Sequence, residues 1–69
     1  MKMNKNGNAA RAAHEAAESM AWLAEHTEHA ADVARVMASE AGFCGQDAEV
    51  YVERFVGHLV NMAASGQGV

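Results

Sequence analysis

A long stretch of small, helix-forming residues is the feature of this sequence that most restricts its fold. Residues 9–41 contain neither proline nor glycine and are rich in Ala, Glu, Met and Arg, all of which favour helix. Gly42 follows, and glycine is the residue that most often ends a helix. The stretch therefore predicts one helix over about residues 9–41, which at about 1.5 Å per residue would be roughly 50 Å long.

Apolar residues in this stretch alternate in steps of four and three, the spacing that aligns side chains along one face of a helix. The face comprises Ala9, Ala13, Ala16, Met20, Leu23, Thr27, Ala30, Ala34, Met37 and Ala41. Most of its members are alanine, so a neighbouring helix can approach closely, but each residue buries little apolar area. The pattern predicts a long helical partner for this face.

A second amphipathic pattern follows a short turn that contains glycine. Its apolar residues are Ala48, Val52, Phe55, Leu59 and Met62. Their spacing predicts a shorter helix over about residues 46–64. Cys44 stands where serine usually caps a helix, and Phe43 precedes it as an apolar staple would. Because the turn is short, the two helices are expected to be antiparallel neighbours.

These patterns predict an all-α fold, an antiparallel helical hairpin over residues 8–65 with Asn8 as the first helix cap. A disordered polar arm is expected at residues 1–7 and a flexible end at residues 66–69.

The two predicted helices differ in length, so the longer one would lack a neighbour along residues 9–20. A second helix of about 28 Å could cover the first only from about Trp22 to Ala41. A symmetric dimer of two hairpins, forming a four-helix arrangement, would cover the remaining alanine face. The residues expected at this dimer interface, or at an interface with another partner, are Ala9, Ala13, Ala16, Met20, Trp22, Leu23, Ala30, Ala34, Met37, Tyr51, Phe55 and Leu59.

Four histidines and one cysteine are the candidates for metal binding or catalysis. His26 and His29 would share a helical face, but no third ligand stands at a fixed spacing, so they are expected to be polar residues flanking the interface. A metal-binding sensor based on this pair remains an alternative. Nucleophilic catalysis by Cys44 would need a base such as His58 and a pocket, which a helical hairpin does not provide. We therefore assign no catalytic residue, metal site or cofactor and predict that the protein is not an enzyme.

The charge of the chain argues against nucleic acid as a partner. Nine acidic and five basic residues give a net charge of −4, and a phosphate-binding surface needs a basic stripe. A helix-turn-helix regulator is an alternative, suggested by the turn after Ala41, but Asp47, Glu49 and Glu53 on the would-be recognition helix would repel phosphate. The sequence also contains no apolar run of about 18 residues, and a single cysteine suits a reducing compartment. We expect a cytoplasmic protein with no membrane partner.

In size, acidity, alanine-rich two-helix pattern and lack of a catalytic motif, the chain resembles the small proteins that bacteriophages make to disable host regulators, such as the quorum-sensing anti-activator of Pseudomonas phages. The resemblance concerns overall form and assigns no residues. It implies a homodimer that sequesters a host protein such as a transcriptional regulator. The residues themselves predict a non-enzymatic interaction module, a homodimer that binds and inhibits or sequesters an unidentified protein.

Overall fold

A computed structural model describes the backbone of residues 5–67 and the side chains of residues 8–65. Within that part of the chain there are helices and turns but no strand, so the predicted all-α class is confirmed. The elements in chain order are α1 (Lys5–Ser19), a 3-10 segment (Ala21–His29), α2 (Ala30–Glu40) and α3 (Gln46–Gln67).

The two ends of the chain differ from the predicted boundaries. Helix α1 already includes Lys5, so Asn8 lies inside the helix and the prediction that it caps the first turn is wrong. Helix α3 continues to Gln67, three residues beyond its predicted end at residue 64. The remainder of the predicted arm and flexible end, residues 1–4 and 68–69, lies outside the described residues.

The single helix predicted over residues 9–41 is wrong. The backbone leaves helical geometry at Met20 (φ −113°, ψ 41°) and again at His26 (φ −134°, ψ 54°). Tryptophan, threonine and histidine in this segment each favour helix less than alanine does, by roughly 0.5 kcal/mol, so burial can outweigh local preference. The break places Leu23, 2% exposed, in the core. It also allows α1 to fold back against α3.

Helix α3 lies at the centre of the arrangement. It packs against α1, the 3-10 segment and α2, whereas α1 and α2 make little contact with each other. His14 lies beside Gly57, and Ala21, later in the chain, lies beside Ala63, so α1 and α3 run in the same direction. Arg35 of α2 lies beside the first turn of α3, near the turn that joins these two helices. The chain thus runs along α3 twice, once in each direction.

The core combines large side chains from α3 with alanines from its neighbours. The buried residues are Ala9, Ala13, Ala17, Leu23, Ala30, Ala34, Ala38, Tyr51, Phe55 and Leu59. Alanines at every fourth position let α1 and α2 approach α3, whose larger side chains fill the space between them. The prediction that residues 9–20 keep an uncovered alanine face is therefore wrong, because α3 covers that face within one chain.

The turn between α2 and α3 begins where the sequence predicts. Gly42 has a positive φ of 91°, a conformation that favours glycine. The Phe43 N–H donates to the Ala38 carbonyl oxygen at 2.9 Å, and the Gly42 N–H donates to the Ser39 carbonyl oxygen at 3.1 Å. These two bonds form a Schellman motif, which satisfies carbonyl groups at the end of α2.

Candidate interaction surfaces and a histidine–glutamate cluster

Most of the residues predicted at an intermolecular interface belong instead to the core of the single chain. The structure buries Ala9, Ala13, Leu23, Ala30, Ala34, Tyr51, Phe55 and Leu59. Phe55 and Leu59 are the largest of the fully buried side chains. The predicted pattern identified buried positions correctly, but packing between α3 and the other helical segments of the same molecule buries them.

Four of the predicted interface residues remain accessible. Ala16, Met20 and Met37 are partly buried at the edge of the core, and Trp22 is 62% exposed. The sequence left open whether Trp22 packs inside the molecule or anchors a partner, and the structure places it outside the core. Ala16 is on α1, Met20 is at the break that follows it, Trp22 is on the 3-10 segment and Met37 is on α2.

The accessible apolar side chains of α1 and α2 lie at the edge of the core, to one side of the buried alanines of each helix. On α1, His14 and Glu18 lie beside His58 of α3, whereas Ala12 and Ala16 are each two positions earlier, which is about 200° around the helix and so on the other side of the buried alanines. On α2, the same offset separates Val33 from Arg35, which adjoins α3. We call this surface the open apolar face; it consists of Ala12, Ala16, Met20, Val33, Val36 and Met37.

Two further large apolar side chains lie outside the open apolar face. Trp22 is on the 3-10 segment, and Val60, on α3, is 46% exposed. Exposed tryptophan is uncommon on a surface that contacts only water, and tryptophan is enriched among residues that dominate binding energy. Trp22 is therefore the strongest single candidate for a contact with another molecule.

A cluster of two histidines and one glutamate joins α1 to α3. The His14 Nε2 lies 3.3 Å from the Glu18 Oε2, and the His58 Nε2 lies 3.9 Å from the same oxygen. The two imidazole ring centroids are 4.2 Å apart. The cluster is at the surface: the His58 side chain is 23% exposed, and those of His14 and Glu18 are 50% and 60% exposed. Imidazole nitrogens and carboxylate oxygens are metal ligands, so this is where a cation could bind.

Sequence analysis missed this cluster. The four-residue spacing of His14 and Glu18, which places both on one helical face, was a readable signal. The third member, His58, could not be identified because the straight helix that was predicted would have carried His14 beyond the end of α3. The predicted pair, His26 and His29, has ring centroids 6.5 Å apart and no third ligand group grouped with it among the described residues.

The structure does not place Cys44 with the base that nucleophilic catalysis would require. The Cys44 side chain is exposed in the turn before α3, and His58, the base that its activation would require, is instead paired with Glu18.

Comparisons with protein-family models, with curated proteins and with solved structures find no match to this chain. Within the part of the chain that the structure describes, none of the helices combines the length and apolar character needed to cross a membrane.

Proposed function

We propose that the protein is a non-enzymatic interaction module of the cytoplasm, a homodimer that binds and inhibits or sequesters another protein. The observation that carries this proposal is the placement of accessible apolar side chains: the open apolar face at the edge of the core, and an exposed tryptophan beside it in the chain. The first is suited to self-association, and the second is suited to a different partner.

The composition of the core supports self-association. Six of the ten buried core residues are alanines, and alanine contributes much less apolar area than leucine or phenylalanine. A chain of this length is stable by roughly 3–10 kcal/mol when it is folded at all. Covering the open apolar face with a second copy would bury Met20, Val33, Val36 and Met37, and so add apolar burial that the single chain lacks.

The surface chemistry favours a protein as the second partner. The chain carries a net charge of −4, which disfavours nucleic acid and favours a neutral or basic protein surface. Trp22 would supply the central apolar contact of that interface. The resemblance to phage proteins that disable host regulators implies a transcriptional regulator as the partner, held by a dimer.

The test of self-association uses the exposed member of the open apolar face. Val36 is 57% exposed, so replacing it by glutamate should leave the fold of the single chain intact. In a dimer the same carboxylate would be buried without a partner, which is costly. We expect multi-angle light scattering to give twice the chain mass for the wild type and the single-chain mass for Val36→Glu, with unchanged helical circular dichroism.

A matched control is Ala64→Glu, which introduces the same charge at an exposed position near the end of α3. It should leave the dimer mass unchanged. Ala16→Glu provides a second disruption of the open apolar face from α1. A wild type that stays a single chain at all concentrations, or a Val36→Glu dimer as stable as the wild type, would refute this dimer.

The contact with a second protein is tested through Trp22. Trp22→Ala should preserve the dimer, because the side chain lies outside both the core and the open apolar face. It should abolish capture of the partner when each protein is used as bait in a lysate of its natural cell. Val60→Ala is the control, since it removes another exposed apolar side chain. Capture of the same proteins by wild type and Trp22→Ala would contradict the role of Trp22.

A further inference from the structure

We propose that His14, Glu18 and His58 form a binding site for a divalent transition-metal ion, with zinc as the best fit. The proposal does not depend on the proposed function, because the cluster and the open apolar face lie on opposite sides of the buried alanines of α1. A result on either one therefore leaves the other standing.

The distances agree with tetrahedral coordination by zinc. Bond lengths of about 2.0–2.1 Å and tetrahedral angles place two ligand atoms about 3.3 Å apart. The His14 Nε2 and the Glu18 Oε2 are separated by 3.3 Å. The His58 Nε2 is 3.9 Å from the same oxygen, and the three ligand atoms all lie within 4.8 Å of one another. Small rotations of partly exposed side chains would bring the third ligand into place.

The helices hold the ligands in a fixed relation. His14 and Glu18 are one turn apart on α1, and His58 is on α3, where the neighbouring Leu59 is fully buried. Two imidazoles and one carboxylate form a ligand set that zinc accepts, and three protein ligands leave a fourth position for water. Because the ligands come from two helices, a bound ion would tie α1 to α3.

The charges around the cluster do not oppose a cation. Glu53 and Arg54 line the same surface depression as His14 and His58, and their opposite charges offset each other. The Glu18 carboxylate supplies one negative charge to the ion directly. Without a metal, the same residues could form only weak, exposed ion pairs between glutamate and protonated histidine. The two possibilities give different responses to zinc.

The experiment measures thermal unfolding of the untagged full chain as zinc chloride is added. The parent protein carries Cys44→Ser, because a free thiol binds zinc by itself. An ion that binds only the folded state raises the Tm, by on the order of 10 °C at a free zinc concentration about 100-fold above the Kd for a chain of this size. We expect this rise in the parent and a single bound zinc per chain by isothermal titration calorimetry.

Two variants and one matched control assign the response to the cluster. His14→Ala and Glu18→Gln change exposed side chains, so both should fold, and each should lose most of the Tm rise. The double variant His26→Ala with His29→Ala removes the same number of imidazoles as the two in the cluster, and should retain the full rise. Cobalt bound to the parent should give the visible absorption of a tetrahedral ion, absent in His14→Ala.

Each outcome of this experiment either supports or overturns the metal site. A parent Tm that does not respond to zinc, or a response that survives in His14→Ala and Glu18→Gln, overturns the site. Loss of the response in the His26 and His29 double variant would also overturn it, because the ion would then bind at the 3-10 segment. Zinc dependence confined to the three cluster residues supports it.

Discussion

The two turns that connect the three α-helices are built in different ways. Between α2 and α3, Gly42 adopts φ 91° and the Phe43 N–H bonds to the Ala38 carbonyl at 2.9 Å. Between α1 and α2, the chain turns through the 3-10 segment, and none of the described residues other than glycine has a positive φ. The conformation of Gly42 specifies the first turn, whereas no residue of this kind specifies the second.

This difference shows what holds each turn in place. The glycine turn satisfies backbone groups with its own hydrogen bonds and carries Phe43, whose ring lies 5.7 Å from that of Tyr51. The 3-10 segment buries only Leu23 and leaves Trp22 exposed. A turn formed by burial of one side chain frees its neighbours for other contacts. The strongest candidate for partner binding therefore lies in the turn that is held least by local structure.

Removing the buried anchor of each region should give the largest effects. Leu23→Ala should lower the free energy of unfolding by about 2–5 kcal/mol, and Phe55→Ala by about 3–5 kcal/mol, through lost burial and a residual cavity. Urea denaturation followed by circular dichroism measures both. Val60→Ala is the control, since its exposed side chain lies outside the open apolar face and should contribute at most about 0.5 kcal/mol. A Leu23→Ala effect as small as the control would mean that burial does not hold the 3-10 turn.

Replacing glycine by alanine should change the stability of the protein in opposite directions in the turn between α2 and α3 and within helix α3. Gly42→Ala forces a side chain into the left-handed region, at a cost of about 1–2 kcal/mol. Gly57→Ala is the matched control: Gly57 is within α3 and a Cβ there would meet nothing within 4 Å. It should stabilise the protein by about 0.5–1 kcal/mol. The two urea midpoints should move in opposite directions, and a shift of both in the same direction would contradict this account.

The elements that glycine and periodicity specify were predictable from the sequence. The end of α2 just before Gly42, the start of α3 at Gln46 and the burial of Phe55 and Leu59 all follow from residues in their own neighbourhood. Local signals thus predicted local structure.

The break at Met20 and His26 could not be predicted in this way. Alanines at every third or fourth position are buried equally well by a partner molecule or by a folded-back segment of the same chain, so the pattern does not select between them. The choice depends on the total burial of each arrangement. The histidine–glutamate cluster depends on that choice, because only the folded-back α1 brings His14 to His58.

The smallest expected effect concerns Tyr51, which connects the glycine turn to the core. Its ring lies between those of Phe43 and Phe55, at 5.7 Å and 6.2 Å, and burial raises the pKa of its hydroxyl above the ordinary value of 10.0. The folded state therefore favours the neutral phenol, so the stability that this preference gives is intact below pH 10.0 and is lost as the pH rises through the folded pKa.

Urea midpoints measured from pH about 8 to about 11 should decline more steeply in the wild type than in Tyr51→Phe, which cannot ionise. The two proteins differ only in this hydroxyl group, and the chain has one tyrosine, so the difference belongs to Tyr51. Parallel declines would show that the hydroxyl is hydrated in the folded state and that the glycine turn is more open to water than its aromatic contacts indicate.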